Sequence, residues 1–358
     1  MSHNKGLYKQ IVHSPQNNKT MLSEKECSAL RGISILAICL HNFCHILPNT
    51  IKENEFSFDA HNNTLFFLRL LDYDFFYSLF SYWGHLGVPV FVFLSGFGLS
   101  IKYGNDKSIS KKNFLLHHYR KLVIPLIIGT GLYLIIRFLI DEEFTLSPVG
   151  LFLQCLMLLN LIYGYHDYIV PGPYWYFGMT LQLYFIYILF IYRHSTLIKL
   201  FPLFVSILLL LFLEKHPQPL IWTKYNSFGW LLPFYMGIYA KDISSITPTN
   251  PIKLYIGLFF SLCLILLFGA YYKLWIWIPG LTVCAGIFTI KILPKGTFDY
   301  LNSIGKISIY LFVLHPILRD LAFSFNDSYG RLVSTSIYCI GCLLTIQIII
   351  SLTKYKSS

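Results

Sequence analysis

The chain has 358 residues, of which 55% are hydrophobic and only 13% charged, with a formal net charge of +11. That is more apolar surface than a soluble domain of this length can cover, so the composition excludes an ordinary soluble fold and predicts an all-α polytopic membrane protein. Nucleic acid is not the partner the positive balance implies, because the Lys and Arg residues sit in short loops beside apolar runs, the arrangement that sets membrane orientation.

In chain order, residues 1–26 are polar and lack the apolar core of a signal peptide, so they read as a cytoplasmic N-terminal tail and the first span as the insertion signal. Residues 27–353 read as one membrane domain and 354–358 as a short cytoplasmic tail. A helical crossing takes roughly 20 apolar residues. The predicted spans are 29–47, 79–101, 121–140, 174–192, 197–213, 226–240, 253–270, 273–293, 304–324 and 330–353, about ten in all. The further apolar stretch 149–163 is short for a crossing, and charge decides its status. With the N-terminus inside, Lys102, Lys107, Lys111, Lys112, Arg120 and Lys121 lie inside, while Glu53, Glu55, Asp59, Asp72, Asp74 and the acidic run 141–143 lie outside. Arg193, Lys199, Lys241, Lys253, Lys291, Lys295 and Lys306 then all fall inside only if 149–163 does not cross. It is therefore predicted to be a re-entrant or surface-lying outer segment, with both termini cytoplasmic.

The first span, "LRGISILAICLHNFCHIL", carries Arg31, His41, Asn42 and His45. Titratable groups at membrane depth are costly unless paired, hydrated or facing a cavity, which makes them functional candidates. At about 100° per residue Arg31 and His45 come within about 40° of one another and His41 stands about 80° off, so all can line one side of a cleft. At ~1.5 Å per residue His41 lies ~15 Å from Arg31, and Arg31 either faces that cleft or snorkels to the interface. The second span, "WGHLGVPVFVFLSGFGLS", offers His85, Ser95 and small residues at which another helix or a narrow ligand approaches closely.

Before the third span, "KKNFLLHHYRKLVIP" places His117, His118, Arg120 and Lys121 together. They serve either as topology determinant and lipid contact or as a phosphate clamp. "PGPYWYFGMTLQLYF" opens the fourth span with Trp175 and Tyr176, an aromatic belt or a platform for sugar rings, and buries Gln182. His315 in "SIYLFVLHP" stands at a depth like that of His41, which points to a shared polar site. The eight Cys residues are scattered through apolar runs and Cys339 and Cys342 have no His or acidic neighbours, so they read as buried apolar residues and no metal site is predicted.

Taken in order, "RGISILAICLH", "GHLGVPVFVFLSGF", the basic cluster followed by Pro125, "YWYFGMTLQLYF", "LLPFYMGIYA" and "SIYLFVLHP" resemble the acyltransferase family 3 membrane proteins over residues 24–350 or so. The resemblance implies an O-acyltransferase, chiefly an O-acetyltransferase of the bacterial inner membrane. Its donor would be cytosolic acetyl-CoA or another acyl-CoA, and its acceptor a hydroxyl of a surface polysaccharide or lipid-linked sugar. It makes His41 the catalytic residue, with His45 the alternative, and has Arg31 orient the donor while His315 orients the base or holds the oxyanion. It assigns His117, His118, Arg120 and Lys121 to the donor phosphates, whereas Trp175, Tyr176, Gln182 and Ser95 are candidates for substrate binding. Asn42 stands where the family usually has its His, and the family's paired arginines before the third span are replaced by His117 with Arg120 or His118 with Lys121. A polysaccharide or lipid-linked sugar transporter is the rival reading, since intramembrane His and Arg also suit a permeation path.

Overall fold

The computed structural model describes residues 20–104, 109–140, 145–241 and 250–355, with the backbone alone at 327 and 353–355. Lys107, the acidic run 141–143, most of the N-terminal tail and residues 356–358 lie outside the described residues. Among the described residues 81% are helical and none forms a strand. The helices are α1 (Glu24–Cys44), α2 (Ala60–Leu68), α3 (Phe75–Trp83), α4 (Gly87–Tyr103), α5 (Lys111–Ile140), α6 (Pro148–Cys155), α7 (Trp175–Ile186) and α8 (Thr196–Phe212). They continue as α9 (Pro217–Tyr225), α10 (Leu231–Ala240), α11 (Pro251–Phe268), α12 (Tyr272–Trp275), α13 (Ile278–Ile292), α14 (Lys295–Lys306), α15 (Ser308–Phe323) and α16 (Asn326–Tyr355).

Among the described residues seven segments are long and apolar enough to cross a membrane, and the pair α14–α15, bent by 77° at its break, makes an eighth if it counts as one span. The expected count of about ten is not confirmed. The apolar run 226–240 spends its first part in a 3-10 turn, Ser227–Trp230, where the Trp230 indole donates to the Lys224 carbonyl at 2.6 Å. That leaves α10 with 10 residues, and α13 has 15, both short of the ~30 Å hydrocarbon thickness at ~1.5 Å per residue. The stretch 149–163 is shorter still, since α6 has 8 residues and is followed by an irregular chain.

α1 starts at a capping box in which Ser23 and Glu26 satisfy each other's backbone amides, and Glu26 also pairs with Lys291 at 3.0 Å. In an 18-residue apolar stretch of each, 67% of α1 and 72% of the continuous α3–α4 segment are buried in the protein, against 22% of α5 and α8 and 17% of α11. The polar-dotted helices therefore make the centre, and α5, α8, α11 and α16 form a greasy perimeter that needs lipid around it. α1 crosses α14 at Gly32 and Gly305, and α4 crosses α10 at Gly96 and Gly237. At each crossing the glycine lies against a carbonyl of the partner helix.

The bundle has a basic end and an opposite end. Lys25, Arg31 and Lys306 line one cavity at the basic end, and Arg31, Lys102 and Lys121 line the next. The other end carries His45, Glu53 and Glu55, with Asp72, Asp74 and Arg331 nearby in a polar surface pocket.

Candidate active site

His41 occupies the last turn of α1. A Cβ at Gly84, facing it, would come 2.7 Å from the His41 Cβ and 2.9 Å from the Ala37 carbonyl, so only glycine lets α3–α4 pass this close. The next residue, His85, is thereby set with its ring centroid 5.6 Å from that of His41. His41 Nδ1 lies 3.2 Å from the Phe80 carbonyl. A carbonyl only accepts, so Nδ1 carries the proton and Nε2 is left with its lone pair, the tautomer of a general base.

One turn on, the His45 ring is 5.5 Å from His41, and its Nδ1 is 2.5 Å from Glu53 Oε2. Burial alone would raise the Glu53 carboxyl, but the His45 contact and the nearby imidazole of His41 hold it at about 2. A carboxyl so depressed stabilises the fold above its unfolded pKa near 4.5, and that stability is lost as pH falls from there through about 2. Across this window the wild type is expected to lose of order 3 kcal/mol more than Glu53→Gln. Acid titration of both purified proteins, followed by intrinsic fluorescence, checks this; parallel curves would remove Glu53 from the account.

The same three side chains, His41, His45 and Glu53, bring their ligand atoms within 4.8 Å of one another. Two of these atoms, His45 Nδ1 and Glu53 Oε2, are the ones in contact at 2.5 Å.

These groups open into a cavity of ≈ 220 Å³ that also takes in His85, Glu55, Trp175, Tyr176 and Arg319. Glu55 is buried, with Oε1 lacking a partner, and burial beside Glu53 pushes its carboxyl well above the usual range, against the pull of Lys224. Lys224 is also buried, which lowers its ammonium to about 8, and lies over the Trp230 and Trp275 rings at 4.3 and 4.9 Å. Phe56 stacks on Tyr225 at 4.2 Å and meets Trp175 edge-on at 5.2 Å, so the cavity wall is a layered aromatic surface.

On α15, Phe312 and Arg319 line the cavity and His315 lies on the same face between them. His315 Nδ1 is 3.1 Å from the Leu311 carbonyl and Nε2 is buried without a partner. By the same reasoning as for His41, its Nε2 bears a lone pair and suits accepting a proton better than donating to an oxyanion. Arg319 is the better placed donor: its Nε–H donates to Asp320 at 2.8 Å, and Asp320 is fixed in turn by the Tyr133 hydroxyl at 2.8 Å.

Arg31 is absent from this cavity. It lines a separate one of ≈ 260 Å³ at the basic end with Ser95, Lys102, His118, Lys121 and Tyr184. The two cavities share no lining residue, and between them stand Phe91, Tyr176 and Phe312, with ring centroids 6.4 and 5.5 Å apart in sequence. Of the basic cluster, His118 is buried against Tyr103, with Nε2 3.3 Å from its hydroxyl, and Lys121 reaches the cavity. His117 and Arg120 are exposed and outside it. Ser95 thus lines the Arg31 cavity while its hydroxyl also reaches Tyr176. Gln182 lines neither cavity; its Oε1 accepts from the Ser227 backbone N–H at 3.0 Å and so caps the turn before α10.

Glu53, Glu55 and Arg319 had no place among the predicted site residues. The signals were "ENEF" directly after the His-bearing span and an Arg one turn beyond His315, each also readable as a topology charge.

Fold and cavities together define a multi-pass helical membrane protein with buried histidines lining one of two polar cavities. The family model described as "Acyltransferase domain" matches residues 26–354, essentially the whole chain, and the protein belongs to this acyltransferase 3 family. Neither the curated proteins nor the solved structures compared contain a match.

Proposed function

We propose that the protein is a membrane O-acyltransferase that takes an acyl group, most simply acetyl, from acyl-CoA at the basic end and passes it to a hydroxyl of a glycan or lipid-linked sugar in the opposite cavity. The observation that carries this reading is His41 Nε2, a lone pair facing the cavity about 15 Å along α1 from Arg31. The positive-inside rule puts the basic end in the cytosol, in keeping with both termini cytoplasmic and a bacterial inner membrane. The transport reading gains no support from the family.

Donor phosphates rest on Arg31, Lys102 and Lys121, and the pantetheine arm extends past Phe91 and Tyr176 toward His41. The acceptor lies against Trp175 and Tyr176 in the cavity that also holds Glu55. His41 Nε2 takes the hydroxyl proton as the oxygen attacks the thioester carbonyl; the C–S bond breaks, and the thiolate leaves with that proton. Arg319 offers its guanidinium to the oxyanion, and Glu53 orients His45 beside the base.

Purified protein in nanodiscs, given acetyl-CoA labelled in the acyl group and crude surface glycan, is expected to release CoA and label the glycan. Absence of both would overturn the proposal. Arg31→Ala and Lys121→Ala are each expected to raise the KM for acyl-CoA about 10- to 100-fold with kcat less affected, the loss of one charge-assisted contact. An unchanged KM would move the donor site elsewhere.

A further inference from the structure

At the basic end lies another cavity, of ≈ 260 Å³, lined by Ser100, Gly104, Tyr192, Arg193, Lys199 and Lys241 among others. It is on the far side of the α4 C-terminus from the Arg31 cavity, which takes Leu99, Lys102 and Tyr103 instead. The chain is shaped to build it. α7 runs into a π-helical turn, Tyr187–Ile191, closed by Tyr192 N–H on the Tyr187 carbonyl at 2.7 Å. Arg193 then adopts φ 61°, a left-handed conformation that costs a non-glycine residue of order 1 kcal/mol. The result turns the chain into α8 and sets Arg193 beside Lys199, whose carbonyl accepts from the Tyr235 hydroxyl. Among the described residues no carboxylate lines the cavity, and neither Arg193 nor Lys199 has an acidic partner.

We infer that this cavity binds the phosphate of an anionic phospholipid, with its acyl chains lying along α8. Arg forks and Lys point charges are the side chains that recognise phosphate, and basic pockets between helices at the cytoplasmic surface take lipid head groups. The lipid source is favoured over a soluble phosphate by the same helix that supplies Lys199. Ile198 and Leu200, on either side of Lys199 along α8, are 45% and 39% exposed, apolar edges beside the cavity for acyl chains. The inference does not depend on acyl transfer, and the lipid here acts as a bound structural ligand.

The test is native mass spectrometry of the full chain in detergent with phosphatidylglycerol or phosphatidylcholine, for the wild type, Arg193→Gln and Lys199→Gln. The wild type is expected to retain phosphatidylglycerol in preference to phosphatidylcholine, and each variant to lose about fivefold or more of that retention. Equal retention of the two lipids, or variants that hold phosphatidylglycerol like the wild type, would overturn the inference. So would displacement of phosphatidylglycerol by adenosine 3′,5′-bisphosphate, which would assign the cavity to a soluble nucleotide. Arg193 is exposed and outside any helix, so Arg193→Gln carries the test if Lys199→Gln does not fold.

Discussion

His41→Ala is expected to lower kcat for acyl transfer by about 10²–10⁴-fold while leaving the KM for acyl-CoA nearly unchanged, the loss of a positioned general base. The donor phosphates would sit at the basic end, ~15 Å away along α1, so binding survives the change. In the proposed reaction His41 takes this role because the Phe80 carbonyl fixes its tautomer and Gly84 lets α3–α4 pass close against it. His45 differs: its Nδ1 is engaged by Glu53 and it stands nearer the cavity mouth, half-exposed. His45→Ala is therefore expected to cost about tenfold, as an orienting neighbour does. Rates of CoA release and label transfer for the two variants decide between them. A dead His45→Ala beside an active His41→Ala would exchange their roles.

Gly305→Ala is expected to be the most damaging single-methyl change in the protein. A Cβ there would overlap the Ser28 carbonyl, and one at Gly32 would overlap the Leu301 carbonyl on the other side of the same crossing. Both obstacles are backbone, so relief comes only by parting α1 from α14, and overpacking of this kind costs about 1–3 kcal/mol or more. The Ser28 hydroxyl bond to the Asn302 carbonyl, 3.0 Å, would go with it. Gly296 serves as the control, because a Cβ there meets nothing within 4 Å. Thermal unfolding in detergent should show a midpoint several degrees lower for Gly305→Ala and Gly32→Ala and unchanged for Gly296→Ala. Equal midpoints would mean that α1 and α14 part at this crossing without cost.

Much of this was legible in the residues, and the gaps have physical causes. Apolar runs identified the membrane helices, yet hydropathy does not register that 226–240 opens with a 3-10 turn or that α13 stops at 15 residues. Angular position along α1 put Arg31 and His45 on one side, but depth proved the stronger variable: Arg31 belongs to the basic-end cavity and both histidines to the opposite one. Ser95 lines the Arg31 cavity yet still reaches Tyr176, so one residue of the grouping Ser95, Trp175 and Tyr176 bridges toward the basic end. Glu53 and Glu55 escaped because a loop carboxylate looks solvated until the chain folds back over the helix end. Lys224 escaped too, being a cation near a span end that the fold buries between tryptophans.

The aromatic partition of Phe91, Tyr176 and Phe312 bears on the cell's energy supply. A reaction that begins in one compartment and ends in the other invites a leak, for a water-filled passage with imidazoles along it would conduct protons down the gradient. The two cavities share no lining residue and have these rings between them, so on the proposed reaction only a slender arm carrying a neutral thioester would have to part the rings. Acyl transfer as proposed would then cross an energised membrane with no continuous water path for protons.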